Sequence, residues 1–371
     1  MTVLKRPLSI PLLAGLLIFV LAVPGLAQTP VNHPVEDSSF PSLVSAIRVK
    51  GPISFAGEPV PLDIPDVREK LDKELLLMLW DRAQVILWLK RTGRYFPHIE
   101  ATLAKSGLPD DLKYIAVIES ALKPHAGSSR GARGIWQFIP STARYYGLTV
   151  SRYVDERRNF QLSTDAAVEY FSKLREECGS WALACAAYNM GEKGLEQRID
   201  HQGIKDYYRL DLPTETERYV LRAVAAKLIL SDPGRYGFHF EQEDYYISRT
   251  YERVVLKHNR AVPITVVAEA SGTYYKAIRD LNPQLLGDTI PKGKTTLFLP
   301  EGATKAFEKN FKRLLSKHRA KHRPMTYTVK NGDSLTIIAE RHNMSLWQLL
   351  QLNGLGNRSV IHPGQRLIIA R

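Results

Sequence analysis

Glu119 stands inside an otherwise apolar helical run, and few features restrict a fold more than a carboxylate placed there. Leu112, Ile115, Glu119 and Leu122 recur at i, i+3, i+7 and i+10, the stripe by which an amphipathic helix meets a core. A carboxylate on that stripe is costly to ionise unless paired, so its pKa should rise. A raised pKa is what a general acid working near neutral pH requires. A buried structural carboxylate held by a backbone donor would give the same pattern. Lys123-Pro124 is expected to stop the helix. The loop that follows is rich in small residues (Ala126, Gly127, Ser128, Ser129, Gly131, Ala132, Gly134), which let a backbone approach a ligand closely.

The surroundings of this helix read as all-α. Residues 28–66 are proline-rich with little periodicity and read as a linker or extended arm. Val67 to Leu89 carries a strong helical pattern, and residues 95–234 read as consecutive helices. Pro109-Asp110-Asp111 opens the Glu119 helix with proline and first-turn acids. Ser163-Thr164-Asp165 is expected to cap a helix closed by Gly179, and Ser180 to cap the run WALACAAYNM, closed by Gly191. Asp155-Glu156-Arg157-Arg158 reads as a surface ion cluster. Trp136 reads as core more readily than as a sugar platform, and Ser120 as structural support. The domain therefore spans 67–240 with its N-terminal helix.

A divergent repeat follows. Ala268 to Asn282 and Ala339 to Asn353 have the same separation, each preceded by an Ile/Val-rich helix and followed by a Pro-Gly or Pro-Lys-Gly turn and a short strand. Each copy reads as a small β-α-α-β unit, at 250–300 and 324–371. Residues 301–323 between them hold eight Lys and Arg residues from Lys305 to Arg323 and read as a basic, solvated helical linker. The formal charge of +13 suits an anionic polymer.

The first 27 residues read as a secretory signal: Lys5 and Arg6, an apolar stretch from Leu8 to Val23, and Gly25-Leu26-Ala27 before the cut. Export to the periplasm or cell envelope disfavours nucleic acid as a partner. An uncleaved signal would leave the chain associated with the membrane. Cys178 and Cys185 are the only cysteines and read as free buried thiols more readily than as a disulfide. No metal-type Cys/His spacing occurs, so neither a metal nor a cofactor is expected.

Four segments in order carry a family resemblance: Glu119-Ser120; Gly134-Ile-Trp-Gln137-Phe with Pro140-Ser-Thr-Ala143; Ala187-Tyr188-Asn189-Met190-Gly191; and Glu215-Thr-Glu-Arg-Tyr219-Val220. On an all-α pattern followed by two such repeats, the chain resembles the modular lytic murein transglycosylases, the D type in particular. The resemblance implies a multidomain fold: an all-α, lysozyme-like catalytic domain followed by two α+β LysM-like modules. It implies peptidoglycan glycan strands as the partner, a monomeric enzyme, and Glu119 as the single catalytic acid/base. Ser128, Gln137, Tyr188, Asn189, Glu215 and Tyr219 fall on the family's substrate-contacting positions, with the Tyr188 hydroxyl expected to reach Glu119. In the second module Asp333, Ser334, Leu335, Asn353 and Ile361 fall in the two loops that would hold glycan. Departures occur at Met190, where the family often has alanine, and at Ile135-Trp136, where soluble members have Leu-Met. The signal also lacks a lipobox cysteine.

A glycosidase normally employs two carboxylates, and no second acid shares the core-like part of the motif region. The resemblance implies substrate assistance instead. Glu119 protonates the glycosidic oxygen leaving MurNAc, then removes the proton from the C6 hydroxyl as it closes a 1,6-anhydro ring. A lysozyme-type hydrolase on the same fold, and a wall-binding scaffold with an inactive domain, are the alternatives.

Overall fold

A computed structural model describes residues 41–321, 325–356 and 358–369. The expected signal at 1–27 and the first part of the expected arm lie outside the described residues.

The remainder of that arm is built into the helical domain. Helix α1 (Leu43–Ala46) and the hairpin β1 (Ile53–Phe55) and β2 (Glu58–Val60), paired Ile53↔Val60 to Phe55↔Glu58, bury Ala46, Val49, Ile53, Phe55 and Val60 in the main core. The tip of the hairpin is pinned where Asp111 accepts from the Ala56 N–H at 2.7 Å and from Lys227 Nζ at 2.8 Å. The reading of 28–66 as an extended arm is thus corrected from residue 41 onward. A few apolar side chains, spread through prolines, were enough to dock the segment.

Two long helices follow, α2 (Pro65–Trp80) and α3 (Arg82–Lys105). Asp81 separates them and caps α3 through the Gln84 N–H at 3.1 Å. A 3-10 turn, Asp110–Leu112, leads into α4 (Lys113–Ser120), which carries Glu119. Then come α5 (Pro140–Tyr145), α6 (Phe160–Cys178), α7 (Trp181–Met190), α8 (Glu192–Gln202) and α9 (Thr214–Ser231). Helix α7 is apolar on nearly every side, and Ala182 to Ala187 are all buried. Such a helix belongs at the centre, and α6, α8 and α9 surround it. Ser180 caps α7, and Gly191 ends it, as expected. Helix α6 is capped by Asn159, not by Ser163 to Asp165; Ser163 and Thr164 are buried within its first turns. Both cysteines are free thiols.

The first small module opens with β3 (Tyr251–His258), followed by β4 (Val262–Pro263), α10 (Ile264–Ala270), α11 (Tyr275–Leu281), β5 (Thr289–Ile290) and β6 (Gly293–Pro300). Strands β3 and β6 pair antiparallel over their full length, from Tyr251↔Pro300 to His258↔Gly293. Helix α12 (Thr304–Lys321) is the segment read as a basic linker. It is a helix, but it packs on α10 and buries Phe307, Phe311, Leu314 and Leu315 in the module's core. Its lysines and arginines occupy the opposite face, so the linker is in fact part of the first module.

The second module holds β7 (Met325–Thr328), α13 (Leu335–Arg341), α14 (Leu346–Asn353) and β8 (Arg366–Ile369), with β7 and β8 antiparallel. The spacing shared by the two copies has a mechanical cause. Asn282 Nδ2 donates to the Ile278 and Phe298 carbonyls, and its Oδ1 accepts from the Phe298 N–H. Asn353 does the same with Leu349 and Ile368. In both copies one asparagine clamps the second helix to the last strand.

That clamp corrects the expectation for Asn353, whose amide is fully used by backbone. Its neighbours are also engaged. Asp333 accepts from Tyr327 Oη at 2.7 Å and the Lys330 N–H at 2.8 Å, and Arg341 stands 3.3 Å away. Ser334 caps α13. Leu335 and Ile361 pack against the module core. These five residues shape the two loops, while side chains such as Val360, 74 % exposed, face outward from them.

The first module is sewn to the helical domain through residues 153–159. Val154 joins the module's core, the Asp155 N–H donates to the Gln284 carbonyl at 2.8 Å, and the Leu286 N–H donates to the Tyr153 carbonyl at 2.9 Å. Asn159 Nδ2 reaches Gln284 Oε1 at 3.1 Å.

Candidate active site

Helix α4 delivers Glu119 from its last turn. The helix ends before Lys123-Pro124, because Ala121 and Leu122 adopt φ values of +54° and +56°. Consecutive left-handed alanine and leucine are strained conformations. Leu122 is fully buried, and its packing holds the turn. With Gln137 at φ +49°, three of the five non-glycine left-handed residues among those described lie in this region. Two arginines support the turn: Arg91 donates to the Ala121 carbonyl at 3.0 Å, and Arg222 to the Ile118 carbonyl at 3.2 Å. They satisfy carbonyls that a helix terminus leaves open.

Burial pushes the Glu119 carboxyl up to about 7; a hydrogen bond from Tyr219 and the positive charge of Arg222 oppose the rise, and Glu215 adds to it. Tyr219, buried on α9, donates from Oη to Glu119 Oε1 at 2.5 Å. Tyr219 is therefore the hydroxyl that reaches the acid. Tyr188 was expected to do so, but its Oη donates to the Trp136 carbonyl at 2.6 Å and its ring stacks on Phe171, centroids 4.5 Å apart. It locks the loop beside Gln137. Trp136 is core, fully buried with Nε1 donating to Thr164 Oγ1 at 3.0 Å.

The loop 126–138 folds back on itself. Ser128 N–H donates to the Ala132 carbonyl, its Oγ accepts from the Ala132 N–H, and Gln137 Nε2 donates to the Gly134 carbonyl at 2.7 Å. Ser128 is exposed and Gln137 half-buried. The anchor of the loop is Arg157. Its guanidinium makes a bidentate pair with Asp155, both contacts 2.8 Å, and donates to the Gly131 and Phe138 carbonyls at 2.7 and 3.0 Å. Both partners are buried, so the expected surface ion cluster is instead an internal pin. A bidentate arginine–carboxylate pair that also satisfies loop carbonyls is a geometry that tolerates burial.

Asn189 ends α7 and accepts from Thr216 Oγ1 at 2.7 Å, which ties α7 to α9 beside Tyr219. Glu215 lies exposed in the first turn of α9. It borders a cavity of about 500 Å³ that also involves Glu74, Trp88, Arg218 and Arg222. Glu74, buried on α2, pairs with Arg218 and stands 4.0 Å from Arg222. Glu74, Arg91, Arg157 and Arg222 were missed in the sequence. The one available hint was Glu74 itself, a charged residue on the buried stripe of α2.

The arrangement offers a single carboxyl that keeps a large share of its proton near neutrality, beside a tyrosine donor and next to strained left-handed backbone. Tyr219→Phe removes the donor that holds the Glu119 pKa down. Cleavage activity should fall roughly tenfold, the order of one hydrogen bond to a charged group, and its alkaline limb should move to higher pH. A pH–rate profile of the variant checks this.

Comparison with known proteins agrees with the architecture. The transglycosylase SLT domain family matches residues 96–210, the LysM-like domain of lytic transglycosylase MltD matches 252–315, and the LysM domain matches 327–370. The chain is 31% identical over 330 residues to membrane-bound lytic murein transglycosylase D of Escherichia coli (strain K12), spanning 85% of this chain and 72% of that protein. A 45-residue stretch is 51% identical to N-acetylmuramoyl-L-alanine amidase sle1 of Staphylococcus epidermidis, covering 12% of this chain and 14% of that protein. Among solved structures, the 70 kDa soluble lytic transglycosylase of Escherichia coli aligns with a TM-score of 0.34 at 16% identity, over 47% of this chain and 32% of that one. A helical SLT domain with LysM modules after it defines a modular lytic transglycosylase. The chain belongs to the family of membrane-bound lytic murein transglycosylase D. Among the described residues no helix is long and apolar enough to cross a membrane.

Proposed function

We propose that this lytic murein transglycosylase cleaves the MurNAc-β-1,4-GlcNAc bond without water, and that Glu119 alone serves as acid and then base. The observation that carries the reading is the Glu119 carboxyl itself, raised to about 7 by burial and met by the Tyr219 hydroxyl. In the first step Glu119 gives its proton to the glycosidic oxygen, the bond from that oxygen to C1 of MurNAc breaks, and positive charge develops at C1. The ionised carboxylate and the substrate's N-acetyl group stabilise that charge. In the second step the C6 hydroxyl bonds to C1 and its proton returns to Glu119. Atoms balance with no water consumed, and the enzyme is regenerated. A positioned proton donor of matched pKa contributes roughly 10²- to 10⁴-fold to such a step.

Ser128 and Gln137 line the glycan from the loop, and Tyr188 keeps that loop in register from behind. Tyr219 sets the protonation of Glu119, Asn189 positions α9 through Thr216, and Glu215 faces the substrate from the first turn of that helix. The protein acts in the periplasm or cell envelope as a monomer, brought to the wall by its LysM modules.

Mass spectrometry of products from purified peptidoglycan tests the reading. Muropeptides one water lighter than their reducing counterparts are expected; reducing MurNAc ends would overturn it. Deletion of residues 324–371 should weaken co-sedimentation with purified sacculi and leave cleavage of soluble fragments intact. Unchanged sedimentation of the truncated protein would remove the targeting role.

A further inference from the structure

A second cavity, of about 320 Å³, opens at the seam between the catalytic domain and the first small module. Three parts of the chain meet there. Helix α3 supplies Arg94 and His98, the loop just beyond Glu119 supplies Pro124 and His125, and the module supplies Arg249, Lys276 and Asp280. The seam is rigid, because the backbone bonds of Asp155 to Gln284 and Leu286 to Tyr153 fix the module on the domain.

The lining is cationic. Arg94, Arg249 and Lys276 face a single acid, Asp280. Lys276 Nζ sits 2.7 Å and Arg249 Nη1 3.7 Å from that acid, so two cations share one charge while 75 % and 48 % of their side chains stay exposed. Arg158 and Arg279 add positive potential at His125, and Asp165 faces His98 from α6. The walls are aromatic: Tyr95 and Phe160 meet edge to face with centroids 4.8 Å apart, and His98 packs edge-on against Phe160 at 5.0 Å. His98 Nε2 is buried with no hydrogen-bond partner in the protein.

Cations at the mouth and aromatic walls describe a site for a small carboxylate-bearing ligand. On the reading proposed above, the strand at Glu119 carries such a ligand on every MurNAc: its lactyl-linked peptide, which ends in free carboxylates. On a peptide-bearing strand the lactyl carboxyl is tied up as an amide, so the negative charge lies on the stem itself. We propose that the seam cavity binds a carboxylate of the peptide stem, so that the first module and the loop after Glu119 together read whether the strand is peptide-bearing. This rests on the proposed function for its substrate, but the binding itself is measurable without cleavage.

The test is calorimetric titration of the full-length protein with stem peptide released from purified peptidoglycan, and with the same peptide after amidation of its carboxylates. The acid form should bind saturably and the amidated form should not. Arg249→Gln/Lys276→Gln, at exposed positions outside the fold's core, should weaken binding about fivefold or more, the order of two partly exposed ion pairs. Asp280→Asn frees both cations and should tighten it. Equal affinity for the amidated peptide, or an affinity indifferent to all three substitutions, overturns the site. Wild-type protein that binds the acid peptide yet cuts no glycan would count against the proposed function and leave the seam site standing.

Discussion

Glu119→Gln should abolish cleavage of glycan strands and leave a protein that is more stable than the wild type above pH 7. The first half follows from the role proposed for the carboxyl. An amide neither delivers a proton to the glycosidic oxygen nor recovers one from the C6 hydroxyl, so both steps fail. The second half follows from burial. The carboxyl titrates near 7 in the folded chain and near 4.3 when exposed in an unfolded one. A folded pKa above the unfolded one means that the native state holds the proton more tightly between those values, so wild-type stability falls as pH rises from about 4.5 to about 7. Glutamine carries no such penalty. Thermal melts at pH 8 should show the variant above the wild type by a few kcal/mol at most, the order of the shift converted at about 1.4 kcal/mol per unit. At about pH 3, below both values, the two should coincide, since both side chains are then neutral in both states. A variant that still cuts strands at the wild-type rate would remove the proposed mechanism. Equal stability at both pH values would mean that burial is not what raises this acid.

Gly134→Ala should be among the most damaging single-methyl changes available to this chain. Gly134 has φ +86°, and a Cβ there would lie 1.7 Å from the Arg157 carbonyl oxygen. That oxygen belongs to backbone and cannot swing aside. Its residue is pinned by the Asp155 pair and two loop carbonyls, and Asp155 is pinned in turn to Gln284 of the first module. Relief requires the whole 126–138 loop to lift. The expected cost is about 4 kcal/mol or more, from backbone strain and loss of a buried network together. It should appear as a fall in melting temperature of about 10 °C. Activity should vanish as well, because Gln137 and the Trp136 carbonyl that anchors Tyr188 move with the loop. Gly131→Ala is the control. Its φ is +83°, yet nothing lies within 4 Å of its added Cβ, so it should lose only about 1 kcal/mol for the left-handed backbone. If the two variants melt alike, the close approach of Gly134 to Arg157 is not what the loop depends on.

The candidate site was legible in part, and each success and failure has a local cause. Glu119 was readable because its neighbours at i−4 and i+3 are apolar, and helical periodicity alone then places it inward. The ends of α7 were readable because Ser180 and Gly191 are strong local signals whose geometry depends on few distant residues. The repeat was readable because Asn282 and Asn353 perform one clamp at one spacing. Arg157 was misread because charged clusters are normally solvated, and only the loop carbonyls brought round by the fold make its burial tolerable. Helix α12 was misread because its eight basic neighbours hid a stripe of Phe307, Phe311, Leu314 and Leu315 at helical spacing.

What the sequence determined by itself was the run of helices, where some of them begin and end, the acid on a buried stripe and the paired modules, since caps, periodicity and turn residues act over a few positions. What only the tertiary structure decided was which distant groups meet that acid. Tyr188 and Tyr219 lie on different helices, and either could have faced Glu119. The packing of α7 against α6 turned the Tyr188 ring onto Phe171 and its hydroxyl to the Trp136 carbonyl, while α9 presented Tyr219 and Arg222 to the end of α4. Hydrogen-bond reach is about 3 Å, far finer than any periodicity resolves, so contacts between helices wait on how the helices pack.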